Sequence, residues 1–335
     1  MVKDADGVKM PLLLGENDVR AVLSMDDLIV AMEAALREFS GGGVCQPLRS
    51  VVVVGDGHAF YGVMPAFMGT PAALGTKLVS VYHSNAARDL PSHLATIILH
   101  DPETGALQAV MDGRYITEAR TAAVSAASAK HLARKDARVL AVLGSGVQAR
   151  SHIDALTRVR PIDEVRVWGR GAARARALVE EIRPHVRARL TVADSAHAAA
   201  HEADIIALVT ASREPVLARS SVRGGTHICA VGACRPDQRE MDSALVGDAR
   251  VFVDSRAGAL AEAGDLVIPI NEGTFDASRI AGELGEVFGG RIPGRRDDDE
   301  ITIFKSLGMA VEDVAAARLA YERAAERGLG RGFVL

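Results

Sequence analysis

The spacing of apolar and polar residues changes character along the chain. Around residues 24–43 it is helical. Ser24 stands as an N-cap before the acidic first turn Met25-Asp26-Asp27. Leu28, Ile29, Met32, Ala35, Leu36 and Phe39 then recur on one face, and Gly41-Gly42-Gly43 ends the run. From Arg49 to about Met111 the pattern becomes a series of short apolar runs. It predicts strands at Ser50–Val54, Ala59–Val63, Thr76–Tyr82, Leu94–Leu99 and Ala106–Met111, with Gly55-Asp56-Gly57 as a hairpin turn between the first two. Strands that follow one another without helices predict a mostly antiparallel sheet.

After Arg120 an alanine-rich helix is expected to about Ala133, and then strand and helix alternate. Strands are expected at Arg138–Leu143, Glu164–Trp168, Ile205–Val209, Thr226–Val231 and Val251–Asp254, and helices at Gln148–Leu156 and Ala172–Ile182. Alternation of this kind predicts parallel βα units. A last helix, about Gly308–Arg327, has apolar spacing suited to packing back on the body. The loop Arg291–Glu300 is highly charged. Its run Asp297-Asp298-Asp299-Glu300 reads as solvated rather than as a metal site, because adjacent loop acids rarely converge on one ion.

Composition narrows the class. A length of 335 residues suits about two domains. Hydrophobic residues at 48% and charged residues at 24% exclude a disordered or collagen-like chain. A formal net charge of −4 argues against a nucleic-acid binder. No apolar run reaches the roughly 18 residues of a membrane helix. Met1-Val2-Lys3-Asp4 lacks a signal-peptide core, and Cys45, Cys229 and Cys234 are too scattered for a disulfide framework. A cytoplasmic protein with reduced thiols is expected.

The sharpest local signal follows the apolar run Val139–Leu143. Gly144-Ser145-Gly146-Val147-Gln148-Ala149 is a G-x-G-x-x-A loop between a strand and a helix. Gly144 permits the tight turn, Gly146 lets the backbone approach a pyrophosphate, and Ala149 lets helix and sheet pack closely. The helix start then offers N–H groups to the anion. At the end of the next strand an acid would bind the ribose hydroxyl of NAD, but this chain has Trp168-Gly169-Arg170 with Arg174 one turn on. Arginines there suit a 2′-phosphate, so NADP(H) is favoured and NAD(H) remains open.

Several further blocks, in order, resemble the ornithine cyclodeaminase/mu-crystallin family over nearly the whole chain. They are Gly62-Val63-Met64-Pro65-Ala66, Leu74-Gly75-Thr76-Lys77-Leu78-Val79, Pro91-Ser92-His93-Leu94-Ala95-Thr96, Met111-Asp112-Gly113, Glu118-Ala119-Arg120-Thr121-Ala122-Ala123, the glycine loop, and Phe304-Lys305-Ser306-Leu307-Gly308-Met309-Ala310. Their wording is closer to the mu-crystallin type. The resemblance implies an α/β fold in which a Rossmann domain, residues 121–308, is inserted into a smaller substrate-binding and dimerisation domain, residues 1–120 plus 309–335. The mainly antiparallel sheet of the smaller domain would form a barrel with its twin in a homodimer.

The same resemblance places the cations for a substrate carboxylate at Arg49, Lys77 and Arg120, a set whose fork and point charge suit a desolvated carboxylate. It places His93 toward the nicotinamide end, and Thr121, Val147, Gln148, Thr210, Val231, Ser306 and Leu307 on cofactor-contact blocks, beside Gly144, Gly146, Arg170 and Arg174 of the loop reading. Two departures bear on the reaction. Cyclising members carry a carboxylate two residues before the Met-Pro pair, where this chain has Gly62. They also carry an aspartate in the loop after the Val-Gly pair, where this chain has Cys234. Ammonia loss needs an acid/base group. Without it, reduction of an existing C=N bond remains: a ketimine reductase acting on 1-pyrroline-2-carboxylate or 1-piperideine-2-carboxylate, with Lys77 or a bound water maintaining the imine proton. Asp237 could restore the missing acid if the loop is shifted, and Cys234 reads as a small packing residue. The alternatives are an ornithine or lysine cyclodeaminase, an alanine-type dehydrogenase, and an NADPH-binding carrier of small ligands without turnover.

Overall fold

The computed structural model describes residues 10–55 and 59–334. Asp56 and Gly57 of the expected hairpin turn, and the first nine residues, lie outside them. Contacts divide the chain into two compact units, Met1–Arg120 with Met309–Leu335, and Thr121–Gly308.

The first unit is built on an eight-stranded sheet. Its strands run in the order Arg331–Gly332, Leu12–Leu14, Leu107–Asp112, His93–His100, Ala73–Tyr82, Ala59–Met68 and Val44–Cys45, with Ser50–Val54 also pairing onto Ala59–Met68. Pairings are antiparallel except where Leu12–Leu14 runs parallel to Leu107–Asp112, so the sheet is mixed. Strand periodicity sets the layers. Gly62, Met64, Ala66 and Met68 alternate inward. Helices Met25–Ser40 and Ala310–Arg327 pack together, and the latter also covers Ala59–Met68 and Ala73–Tyr82. Ser24 caps the first of these helices, its Oγ accepting from the Asp27 N–H at 3.2 Å. Cross-strand register puts Lys77 opposite Met64 and Ile97, on the buried side. By contrast Val51, Val52 and Val53 are all at least half exposed.

The second unit carries an eight-stranded sheet that is parallel throughout. Its order is Arg189–Val192, Glu164–Trp168, Val139–Leu143, Ile205–Leu208, His227–Ala230, Thr302–Lys305, Arg250–Val253 and Ile280–Glu283. Both faces are covered, which explains why Ile205–Leu208 and His227–Ala230 read as unbroken buried runs. The chain order reverses beside Val139–Leu143, the switch point at which ligands of such sheets bind.

Some elements differ from expectation. The helix placed after Arg120 begins at Arg114, because Asp112 Oδ1 accepts from the Tyr115 N–H at 3.1 Å and caps an earlier start. Leu12–Leu14, Arg189–Val192, Ile280–Glu283 and Thr302–Lys305 are strands too short to show a period. In the acidic run, Asp297, Asp298 and Asp299 are exposed. Glu300 is turned in, bonded to Arg296 at 2.9 Å, so the run is not solvated throughout. No described helix is long and apolar enough to cross a membrane.

Candidate active site

In the first unit the Lys77 side chain, 2% exposed, projects from the middle of its strand. Its Nζ pairs with Asp313 Oδ2. Arg120 reaches the same carboxylate from helix Arg114–Leu132, donating from Nε to Asp313 Oδ1 at 2.9 Å and from Nη1 to Glu312 Oε2 at 2.7 Å. Glu312 and Asp313 are fully buried in the first turn of helix Ala310–Arg327, where aligned peptide dipoles favour negative charge. Gln46 Oε1 accepts from the Val311 N–H at 2.9 Å and fixes that turn.

Burial pulls Lys77 down to about 8. Asp313 opposes that fall, while Arg120 and Arg49 add to it. Burial also pushes Asp313 up, but Arg120 and Lys77 outweigh it and hold the carboxyl below its ordinary value. His93, half-buried, is pulled to about 4 by burial and then by Lys77 and Arg120, so its imidazole is neutral at pH 7. The structure thus brings Lys77, Arg120, Arg49 and His93 into one electrostatic cluster. It also reveals two acids that spacing did not single out, because a carboxylate in a helix's first turn ordinarily reads as a dipole partner. Lys77 and Arg120 meet Asp313 and Glu312 here, and Arg49 is near enough to act on Lys77. Gly62 lies on the neighbouring strand opposite Val79, and a Cβ there would stand 2.9 Å from Val79 Cγ1.

The second unit holds the expected dinucleotide residues. Gly144 has φ +137°, and a Cβ on it would lie 2.6 Å from the Val209 carbonyl oxygen, so only glycine fits. Gly169 packs equally tightly on Ser145. Gly146 caps helix Val147–Val159, and no heavy atom stands within 4 Å of where its Cβ would be. Val147 is exposed beside it, and Ala149 is fully buried against the sheet. Arg170 and Arg174 are exposed at the start of the following helix. Thr210, Val231, Ser306 and Leu307 each follow a parallel strand, and so share the strands' carboxyl edge with Gly144 and Arg170. Thr121 is buried at the unit's first position.

Two of these residues keep buried polar atoms unsatisfied by the described residues, Gln148 Oε1 and Ser306 Oγ. Open space at Gly146, orphaned polar atoms nearby in sequence and along the edge, and a free helix start are what a pyrophosphate and its sugars require. These residues fit a dinucleotide.

Sequence reasoning missed a second buried ion pair, Lys305 Nζ to Asp265 Oδ2 at 2.9 Å, with Glu240 beside it. Burial pulls Lys305 down, but Asp265, Cys234 and Glu240 outweigh it and hold the lysine above its ordinary value. Burial, and then Asp265, push Glu240 up to about 7 against the pull of Lys305 and the Thr210 donors. Cys234 donates from Sγ to the Val231 carbonyl at 3.2 Å. Asp237 is half exposed and paired with Arg235 at 3.2 Å.

Against this geometry the likenesses of the chain can be set. The family model for the ornithine cyclodeaminase/mu-crystallin family matches residues 9–328. The rat protein named ketimine reductase mu-crystallin is 43% identical over 94% of this chain and 97% of its own length. A solved structure of the Thermococcus litoralis Delta(1)-pyrroline-2-carboxylate reductase, in complex with NADH and L-proline, matches with a TM-score of 0.94 and 40% identity, covering 96% of this chain and all of that one. An archaeal alanine dehydrogenase dimer with bound NAD matches at 33% identity and a TM-score of 0.92, covering 97% of this chain and 99% of that one. With a family match along nearly its whole length and relatives this similar over more than nine-tenths of it, the chain belongs to the ornithine cyclodeaminase/mu-crystallin family.

Proposed function

We propose that the protein reduces the C=N bond of a small cyclic imino acid, using a reduced nicotinamide dinucleotide. The substrates in view are 1-pyrroline-2-carboxylate and 1-piperideine-2-carboxylate, and the products proline and pipecolate. The observation that carries the reading is the gathering of Lys77, Arg120 and Arg49 in one electrostatic cluster, whose point charge and planar forks suit a substrate carboxylate. The likeness to a pyrroline-2-carboxylate reductase and to a ketimine reductase supports it.

In this reading the first unit binds substrate and the second the dinucleotide. Arg120 and Arg49 orient the carboxylate. Lys77, pulled to about 8, is charged at pH 7 yet parts with a proton more readily than an ordinary lysine, so it maintains the proton on the imine nitrogen. Protonation makes the imine carbon a better electron-pair acceptor. A reduced dinucleotide, held by Gly144, Gly146 and the start of helix Val147–Val159, would supply the hydride to this carbon. Neutral His93 lends a polar contact without adding to the positive charge. Gly62 offers no carboxylate for a substrate amine. At the position where cyclising members hold an aspartate stands Cys234, whose thiol is engaged by a backbone carbonyl. Asp237, exposed and paired with Arg235, is a poor substitute for that acid. These features favour reduction over cyclodeamination.

Arg170 and Arg174, both exposed, favour NADPH over the NADH of the Thermococcus relative's complex. The exposed apolar stretch Val51–Val53 and the dimeric archaeal relative support a homodimer joined through the first unit's sheet.

The test is oxidation of NADPH and NADH, followed by absorbance, against five- and six-membered cyclic imino acids. Fast, saturable oxidation with at least one ring is expected. L-Ornithine and L-alanine with the oxidised dinucleotides should release no ammonia. Ammonia release would instead favour the dehydrogenase or cyclodeaminase readings, and dinucleotide binding without consumption by any imine would favour a carrier.

A further inference from the structure

Glu240 has no part in the chemistry above, yet its carboxylate accepts four hydrogen bonds near the strands' carboxyl edge. It is fully buried. Oε1 accepts from the Thr210 N–H and from the Thr210 hydroxyl, both at 2.7 Å. Oε2 accepts from the Gly232 N–H at 2.7 Å and from the Ala233 N–H at 3.2 Å. One oxygen therefore holds the loop after strand Ile205–Leu208, and the other holds the loop after His227–Ala230. Space is tailored to this clamp, because a Cβ on Gly232 would stand 1.9 Å from the Thr210 carbonyl oxygen and 2.7 Å from either Glu240 oxygen. The clamp is itself anchored. Asp265 Oδ1 accepts from the Glu240 and Met241 N–H groups at 2.7 and 3.1 Å, and its other oxygen meets Lys305. On the far side of Thr210, Val209 packs against Gly144 of the glycine loop.

We infer that Glu240 is a positioning residue for the dinucleotide: its carboxylate locks the loops bearing Thr210 and Val231 in one register beside the glycine loop. A protein that needed only a stable sheet could fill this volume with an apolar side chain. A buried acid spanning two loops instead satisfies their N–H groups in one geometry and no other. This inference rests on the reading that the second unit binds a dinucleotide.

The experiment is NADPH titration of the full-length protein, read through the emission of Trp168, the chain's single tryptophan. Its carbonyl accepts from the Gly144 N–H at 2.8 Å. Glu240→Gln keeps the shape but turns an NH2 group toward the donors of one loop. Its dissociation constant for NADPH should rise at least tenfold, with the KM for the imino acid within twofold. Asp204→Asn is the control. Asp204 is a buried clamp at the opposite edge of the same sheet, accepting from the Arg138 and Val139 N–H groups at 2.7 and 2.9 Å. It should lower the melting temperature while leaving NADPH affinity within twofold. If Glu240→Gln does not fold, Glu240→Asp, which keeps the charge but cannot span both loops, should weaken NADPH severalfold. Affinity unchanged in whichever Glu240 variant folds, or lost equally in Asp204→Asn, overturns the inference alone. A wild-type protein that takes up no dinucleotide overturns the proposed function as well.

Discussion

Each unit buries a lysine against an aspartate, and the two pairs are surrounded differently. Around Lys77 two arginines gather, Arg120 bonded to Asp313 and Glu312 and Arg49 within electrostatic reach of the lysine. Around Lys305 the acids outnumber the cation, with Asp265 and Glu240 facing one ammonium. The deficit at Lys305 is absorbed locally, because backbone N–H groups of Thr210, Gly232, Ala233, Glu240 and Met241 point at the two carboxylates. At Lys77 the acids are met instead by side-chain cations, Lys77 and Arg120. A buried ion pair is therefore not informative by its presence alone. What distinguishes the two pairs is whether the acids are met by side-chain cations or by backbone N–H groups.

The same substitution at both lysines is the strongest test of that contrast. Lys77→Met should lower kcat by about 10²–10⁴-fold, the range lost with a proton-transfer group, while NADPH affinity stays within twofold. Asp313 keeps its bond from Arg120 in this variant, so the stability loss should be modest. Lys305→Met leaves Asp265 buried with only two N–H donors. It should cost about 3–5 kcal/mol in urea unfolding and leave turnover at saturating substrate within tenfold. Equal losses of kcat in the two variants would erase the distinction.

The pH dependence sharpens it. In the folded chain Lys77 loses its proton as pH rises through about 8, against 10.5 for an ordinary lysine, so kcat/KM should fall above pH 8. Between those two values the unfolded chain binds the extra proton, and this group's contribution to stability rises with pH. Asp313→Asn removes the charge that props Lys77 up, and should move the alkaline limb down by about one unit. Lys305→Met should leave that limb in place. The smallest effect is expected at the exposed Arg170: Arg170→Ala should raise the KM for NADPH by about threefold to tenfold and leave that for NADH unchanged. No change for either would remove the support for a 2′-phosphate contact.

Much of this architecture is legible in the sequence. The glycine loop announces itself because a dinucleotide turn requires Gly144 and Gly146 at one spacing, directly after a buried strand. The antiparallel strands of residues 50–111 show themselves as separate short apolar runs. Short strands such as Thr302–Lys305 do not, since four residues carry no measurable period and a run buried on both faces looks like any apolar segment. Lys77 and Arg120 are singled out by the motifs around them, but Asp313 and Glu312 are not. In sequence they are two acids at a helix start, and only the packing of that helix brings them to the lysine.

What the sequence determined by itself is therefore local: which segments are helical or extended, where the chain turns, and the residues at a phosphate loop. These follow from steric and hydrogen-bonding rules acting over a few residues. What only the tertiary structure decided is the charge balance. Asp313 lies more than two hundred residues from Lys77 along the chain, and Asp265 forty from Lys305. Desolvation and Coulomb interactions depend on distance in space and on exclusion of water, so each lysine's electrostatic environment is settled only when those segments meet.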